Sequence, residues 1–378
     1  MSPLRVALLS LCTLLIGAGV GYGAAQMGGS DGGDAGTASA LGTAVSTTPV
    51  TTGSAADTTA GTGDTAAADF AACRKDETYG CYARAFKVLV NAKDPGVALD
   101  KLDALSKTDT YVLRTCHPLA HEIGHLAYAK YKSVTVAEGY ARETCWSGYH
   151  HGLMESYISQ FDDGQLRTRM STICKQDPNH LYSLAYYNCW HGLGHGLTIR
   201  FTQDVFRALK FCDYVKQSWE RQSCYSGVFM QNIVANGSGM HRAVDLKPSD
   251  PIYPCDAVTA QQKPSCYLMQ TSYVLQVKNW NLPVAFKICD RVETGFVGTC
   301  YRSMGRDISG AALLDPGKIV TQCDLGATAH RAECIAGAAA NAVYDRHART
   351  MADALCKLVH TADRAACNKA TAEAVATL

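Results

Sequence analysis

Eight of the twelve histidines in this 378-residue chain fall between positions 117 and 195, and seven of them cluster in short segments: His117, His121, His125, His150, His151, His191 and His195. They sit in three segments that each begin at a cysteine, CHPLAHEIGHLAY from Cys116, CWSGYHHGLMESY from Cys145 and CWHGLGHGLTIR from Cys189. A fourth segment, CYSGVFMQN from Cys224, keeps the glycine and the apolar frame but has no histidine. Residues four apart share one face of a helix. On that spacing His117, His121 and His125 form one row, His151 and Glu155 a second, and His191 and His195 a third. His151 and His195 both lie six residues after their cysteine, and His121 lies five after its own. Helices packed side by side in this register would turn the three rows toward one groove. Imidazoles and carboxylates converging from several helices are how helical bundles hold transition metals. The expected ligands are therefore His117, His121, His125, His151, Glu155, His191 and His195. His150 points away from its neighbour and is the weakest member. Zinc, copper and iron all suit this donor set. Its size exceeds the needs of one tetrahedral ion and admits a dinuclear site.

One stretch is more specific. His121-Glu122-Ile123-Gly124-His125 fits H-E-x-x-H and, over these five residues only, resembles the zincin metallopeptidase motif. The resemblance implies zinc on His121 and His125, with Glu122 as the catalytic base that polarises a bound water. His151, Glu155 or His195 would complete the ligand set. The same residues also belong to the longer HxxxHxxxH row, and Glu122 reads equally as an outer residue that orients a histidine. Purely structural histidines, hydrogen-bonded between helices, are the bland alternative. His180, His241, His330, His347 and His360 are read that way, and Trp146, Tyr149, Trp190 and Tyr225 as helix-interface packing.

The elements that must position these residues are legible in the cysteines. Cys255/Cys266, Cys289/Cys300, Cys323/Cys334 and Cys356/Cys367 are each 11 apart, and the first members recur at steps of 34, 34 and 33. Cys212/Cys224 and Cys174/Cys189 are looser copies. A period near 34 residues belongs to helix–turn–helix solenoids. Each unit reads as a helix A ending in Cys, a polar turn, and a helix B starting with Cys, joined by a disulfide. Cys116 with Cys145 and Cys73 with Cys81 complete eight bonds. A staple closing about 11 residues contributes roughly 2–3 kcal/mol on the chain-entropy model. The design, over roughly residues 174–378, resembles tetratricopeptide and cysteine-stapled Sel1-like repeats, without the tetratricopeptide consensus positions. The expected fold class is all-α, made of disulfide-stapled, solenoid-like helical hairpins.

Paired cysteines on this scale require an oxidising compartment. The apolar run from Val6 to Ala25 behind Arg5 agrees, since it reads as a signal peptide or an uncleaved signal-anchor helix. Residues 26–69 are mostly Gly, Ala, Thr, Ser and Asp, without Lys, Arg or any aromatic residue, a composition that favours a disordered linker. The expected organisation is a signal or anchor helix over 1–25, a linker over 26–69, a His-rich metal-site region over 70–240 and Cys-paired repeats over 241–378. A formal net charge of +1 without basic runs argues against nucleic acid. The expected partners are a membrane, if the N-terminal helix is uncleaved, and a protein on the C-terminal repeats. The chain would be exported, either anchored facing outward or secreted. Three functions follow: a metal-dependent enzyme, either hydrolase or dinuclear oxidoreductase; a non-catalytic metal-binding or metal-handling protein; or a repeat scaffold.

Overall fold

A computed structural model describes residues 69–378 apart from 143, 177, 239–242, 313 and 347. The expected signal or anchor helix and linker therefore lie outside the described residues, as do His241, His347 and the Trp146 side chain. The described chain is all-α, with no strand. Among these residues no helix is long and apolar enough to cross a membrane.

Three helices lead in: α1 (Phe70–Asp76), α2 (Tyr79–Ala92) and α3 (Pro95–Ser106). They are followed by α4 (Thr110–Tyr131), α5 (Val134–Glu138), α6 (Gly148–Ile158), α7 (Asp163–Arg169), α8 (Leu184–Arg200), α9 (Val205–Cys212) and α10 (Ser218–Ser238). The C-terminal half adds α11 (Lys263–Val277), α12 (Leu282–Cys289), α13 (Val297–Ala311), α14 (Pro316–Cys323), α15 (Arg331–Arg346), α16 (Arg349–Leu358) and α17 (Arg364–Val375). The long helices α4, α6, α8, α10, α11, α13, α15 and α17 each pack on the next, and shorter helices lie against them.

All eight expected cysteine pairs are at disulfide distance, from Cys73–Cys81 to Cys356–Cys367. In the C-terminal half the hairpin design holds closely. Helices α12 and α14 end at Cys289 and Cys323, and their partners Cys300 and Cys334 stand at the fourth residue of α13 and α15. The short helices start where their caps dictate. Asn281 and Asp315 accept from the backbone N–H groups of Val284 and of Gly317 and Lys318, with proline in the first turn. The N-terminal half departs from the expectation at Cys116, the seventh residue of α4 rather than its start, and likewise at Cys189 and Cys224, the sixth and seventh residues of α8 and α10. For Cys116 the reason is upstream: Asp109 caps a turn beginning at Thr110, so the helix is already running when it reaches the cysteine. The array also returns on itself, since the Leu184 N–H at the start of α8 donates to Thr377 O at 2.8 Å.

Glycine sets how closely the site helices approach. A Cβ on Gly152 of α6 would collide with the His121 carbonyl oxygen of α4, and one on Gly124 would collide with Tyr149 O. Gly194 of α8 and Gly227 of α10 repeat this reciprocal contact against Cys224 O and His191 O. Backbone oxygens cannot yield as flexible side-chain ends do, so these crossings require glycine. Gly152→Ala is expected to destabilise the fold by about 1–3 kcal/mol, as overpacking of a close-packed core does. Thermal or urea unfolding checks this, with the exposed Gly295→Ala, whose added Cβ meets nothing within 4 Å, as the control.

Candidate metal centre

The three histidine rows meet. His117 and His121 come from α4, His151 and Glu155 from α6, and His191 and His195 from α8. The ring centroids of His151 lie 5.2 Å from both His117 and His121, 5.1 Å from His191 and 4.2 Å from His195, on which it stacks. Their ligand atoms form three sets that could hold a metal ion: His117/His121/His151, His151/His191/His195 and His121/Glu155/His195. Any two sets share one residue. Two ions with three protein ligands each would therefore share a side chain, and an imidazole with both nitrogens available suits that role. His117, His151, His191 and His195 are all buried, His195 completely.

Hydrogen bonds outside the cluster orient the rings. His117 Nδ1 donates to the Cys145 carbonyl at 2.9 Å, an oxygen that can only accept. His121 Nδ1 lies 2.9 Å from Glu155 Oε1. His195 Nδ1 donates to Gln231 Oε1 of α10 at 2.8 Å. His191 Nδ1 is 2.8 Å from both Ser226 Oγ and Tyr187 Oη, and the two hydroxyls lie 2.9 Å apart. His117, His121 and His195 thus have a hydrogen on Nδ1, facing an oxygen, and direct Nε2 inward, the arrangement that prepares histidine for a metal. The inward atoms come close in pairs: His117 Nε2 to His121 Nε2 at 3.0 Å, and His191 Nε2 to His195 Nε2 at 3.2 Å. His151 stands between the pairs, with both ring nitrogens buried and neither hydrogen-bonded. A buried polar nitrogen left without a partner costs about 1–3 kcal/mol. A cation in the cluster supplies what the lone pairs require.

Burial keeps four of these rings, His117, His151, His191 and His195, in the neutral form. Burial lowers His117 to about 3, and the His121 ring beside it adds to the effect. Burial, then the His121 and His117 rings, also bring His195 to about 3. His151 and His191 are pushed well below the ordinary range by burial and by neighbouring imidazoles. Glu155 runs the other way. Burial opposes its charge, but the adjacent His121 and His125 hold it well below the usual carboxylate range.

His125 and Glu122 stand apart, outside all three ligand sets. His125 is 40% exposed; its Nε2 lies 2.6 Å from Glu155 Oε2 and its Nδ1 3.8 Å from Glu122 Oε2. Burial acts to lower His125, but its hydrogen bonds with Glu122 and Glu155 prevail and raise it to about 9. The two histidines of the HExxH segment are thus engaged differently, His121 within the cluster and His125 with two carboxylates at its rim. His150 turns away from the cluster, with Nδ1 2.9 Å from Glu138 Oε2. Tyr149, Trp190 and Tyr225 are core residues, as expected. Sequence reasoning missed the contribution of α10: Ser226, Met230 and Gln231 all touch the site, and Met230 Sδ lies 3.2 Å from His191 Nε2. The signal was available, because Met230 stands six residues after Cys224, the place that His151 and His195 occupy after theirs.

No family model, curated protein or solved structure matches this chain. What stands of the expected Sel1-like or tetratricopeptide-like design is the packing of successive helices and the eight cysteine pairs.

The titrations carry a prediction for the metal-free protein. His117, His151, His191 and His195 are depressed in the fold but titrate near 6.5 when unfolded. The unfolded chain then binds more protons in acid, so the stability tied to these groups is present above about pH 6.5 and is lost as pH falls toward 3. His125, raised to about 9, has the opposite sign: its contribution is present below 6.5 and is lost as pH rises through 9. Four groups outweigh one, so the Tm of chelator-treated protein should fall between about pH 7 and pH 5. Differential scanning calorimetry checks this, and a Tm that rises toward pH 5 would contradict the neutral cluster.

Proposed function

We propose that this chain is an extracytoplasmic metal-binding protein whose buried histidine cluster holds a transition-metal ion, rather than a zincin-type hydrolase. The observation that carries the reading is His151, a fully enclosed imidazole with two unpartnered nitrogens set between two pairs of inward-facing rings. His117, His121, His151, His191, His195 and Glu155 would hold the ion or ions, with Cys145 O, Ser226 and Gln231 fixing the rings. Neutral imidazoles are the form that binds metal. Two observations favour binding or handling of metal over hydrolysis. Glu122, the base expected from the HExxH resemblance, faces His125 and not the cluster. A 710 Å³ cleft beside α6 and α8, lined by Tyr157, His180, Tyr186 and Cys189 among others, contains none of the candidate ligands.

Export supports the same reading. Eight disulfides suit an oxidising compartment. The apolar run before Ala25 would deliver the chain there, cleaved or retained as an anchor.

Elemental analysis of protein purified from an oxidising compartment tests the proposal. About one or more equivalents of a transition metal per chain are expected, because a prepared site binds metal as part of its folded state. His151→Ala and His195→Ala should each weaken binding by about 10–100-fold or more, while Glu122→Gln should leave metal content near wild type. Metal-free protein that takes up no zinc, copper or iron on titration would refute the reading. Release of metal by Glu122→Gln would instead return Glu122 to the site and restore the zincin analogy.

A further inference from the structure

The inner half of the cluster differs chemically from the outer half. His117, His121 and Glu155 offer only nitrogen and oxygen. Around His191 and His195 there is sulfur: Met230 Sδ lies 3.2 Å from His191 Nε2, which itself lies 3.2 Å from His195 Nε2. Nδ1 of each ring is already committed, His191 to Ser226 and Tyr187 and His195 to Gln231. The two Nε2 atoms and the thioether therefore meet in one place. Met230 is 3% exposed, so that place is closed to water. His151 completes the group, being in the same ligand set as His191 and His195. Met230 also holds the register position of His151 and His195, six after its cysteine, so α10 presents a thioether where α6 and α8 present imidazoles.

Resting on the metal-binding reading above, we propose that His151, His191, His195 and Met230 form a copper site, selective for copper(I), with Met230 as a direct ligand. Thioether sulfur is a soft donor that favours copper(I) and adds little for zinc. In this exported chain the usual soft donor is not available, because the sixteen described cysteines are all paired in disulfides. A methionine thioether survives an oxidising compartment as a ligand where a thiolate becomes a disulfide. His117, His121 and Glu155 remain beside this site as a harder set.

X-ray absorption on the full chain loaded with copper(I) tests the assignment. A Cys12→Ser background removes the one cysteine outside the eight disulfides. Since no thiolate is then present, a sulfur scatterer in the copper shell can come only from methionine. The expected result is nitrogen plus sulfur in the wild type and nitrogen alone in Met230→Leu. That variant should lose copper(I) affinity by about 10–100-fold, the scale of effects around metal ligands, while zinc affinity changes by less than about twofold. Protein labelled with selenomethionine gives a second readout that needs no mutation: copper loading should add a copper neighbour at the selenium edge. An all-nitrogen copper shell in the wild type, or equal losses of copper and zinc affinity in Met230→Leu, would overturn the copper assignment and leave the histidine metal site standing. Failure to bind either metal would overturn both readings.

Discussion

The structure depends on imidazole rings that face one another with lone pairs inward. His195 gives its Nδ1 hydrogen to Gln231 of α10, His191 Nδ1 is held by Ser226 and Tyr187, and the two Nε2 atoms face each other at 3.2 Å. His117 and His121 repeat the geometry at 3.0 Å, with Cys145 O and Glu155 as the outer oxygens. Neutral imidazoles with lone pairs facing at such a distance repel, and burial disfavours a proton on His117 and His195. A cation with affinity for neutral nitrogen would relieve that repulsion. Buried polar groups in native proteins are satisfied with few exceptions, and clustered exceptions mark function.

Holding the rings this way requires the helices to approach closely and not yield. Glycine provides the approach, at the Gly124–Gly152 and Gly194–Gly227 crossings. The disulfides supply stiffness, tying Cys116 to Cys145 across α4 and α6, and Cys189 back to Cys174. The C-terminal half uses the same stacking with different contents. There, buried Arg306 and Asp307 pair with each other and bond Ser272, while Asp307 also accepts from Thr271 at 2.6 Å. Arg306 and Asp307 are satisfied by neighbouring side chains, in contrast to the unpartnered nitrogens of His151.

Much of this was legible in the sequence, for physical reasons. The 11-residue cysteine pairs recur because each hairpin closes the same loop, so spacing alone gave the bonds and the helix pairing. The four-residue histidine spacing gave the three rows, and register from each cysteine gave their meeting point. The separation of His121 from His125 was not legible. Both lie on one helix face by spacing, but Glu155 reaches from α6 to both and divides them, binding His125 at the rim and His121 within the cluster. The role of α10 was overlooked although Met230 holds the register of His151 and His195, because Met, Ser and Gln read as ordinary core and interface residues until a neighbouring helix places imidazole nitrogens against them. Cys116 misled as a helix start because the cap that governs α4 lies at Asp109.

The central claim is that a metal ion sits among these rings, and anomalous diffraction from metal-loaded crystals tests it most directly. Data collected above and below the absorption edge locate the ion without assumption about its ligands. The account predicts an anomalous peak enclosed by α4, α6 and α8, bonded to His151 and to inward nitrogens of the neighbouring rings at about 2.0–2.1 Å. A peak confined to the exposed His125–Glu122 rim, or none within the cluster at full loading, would contradict it.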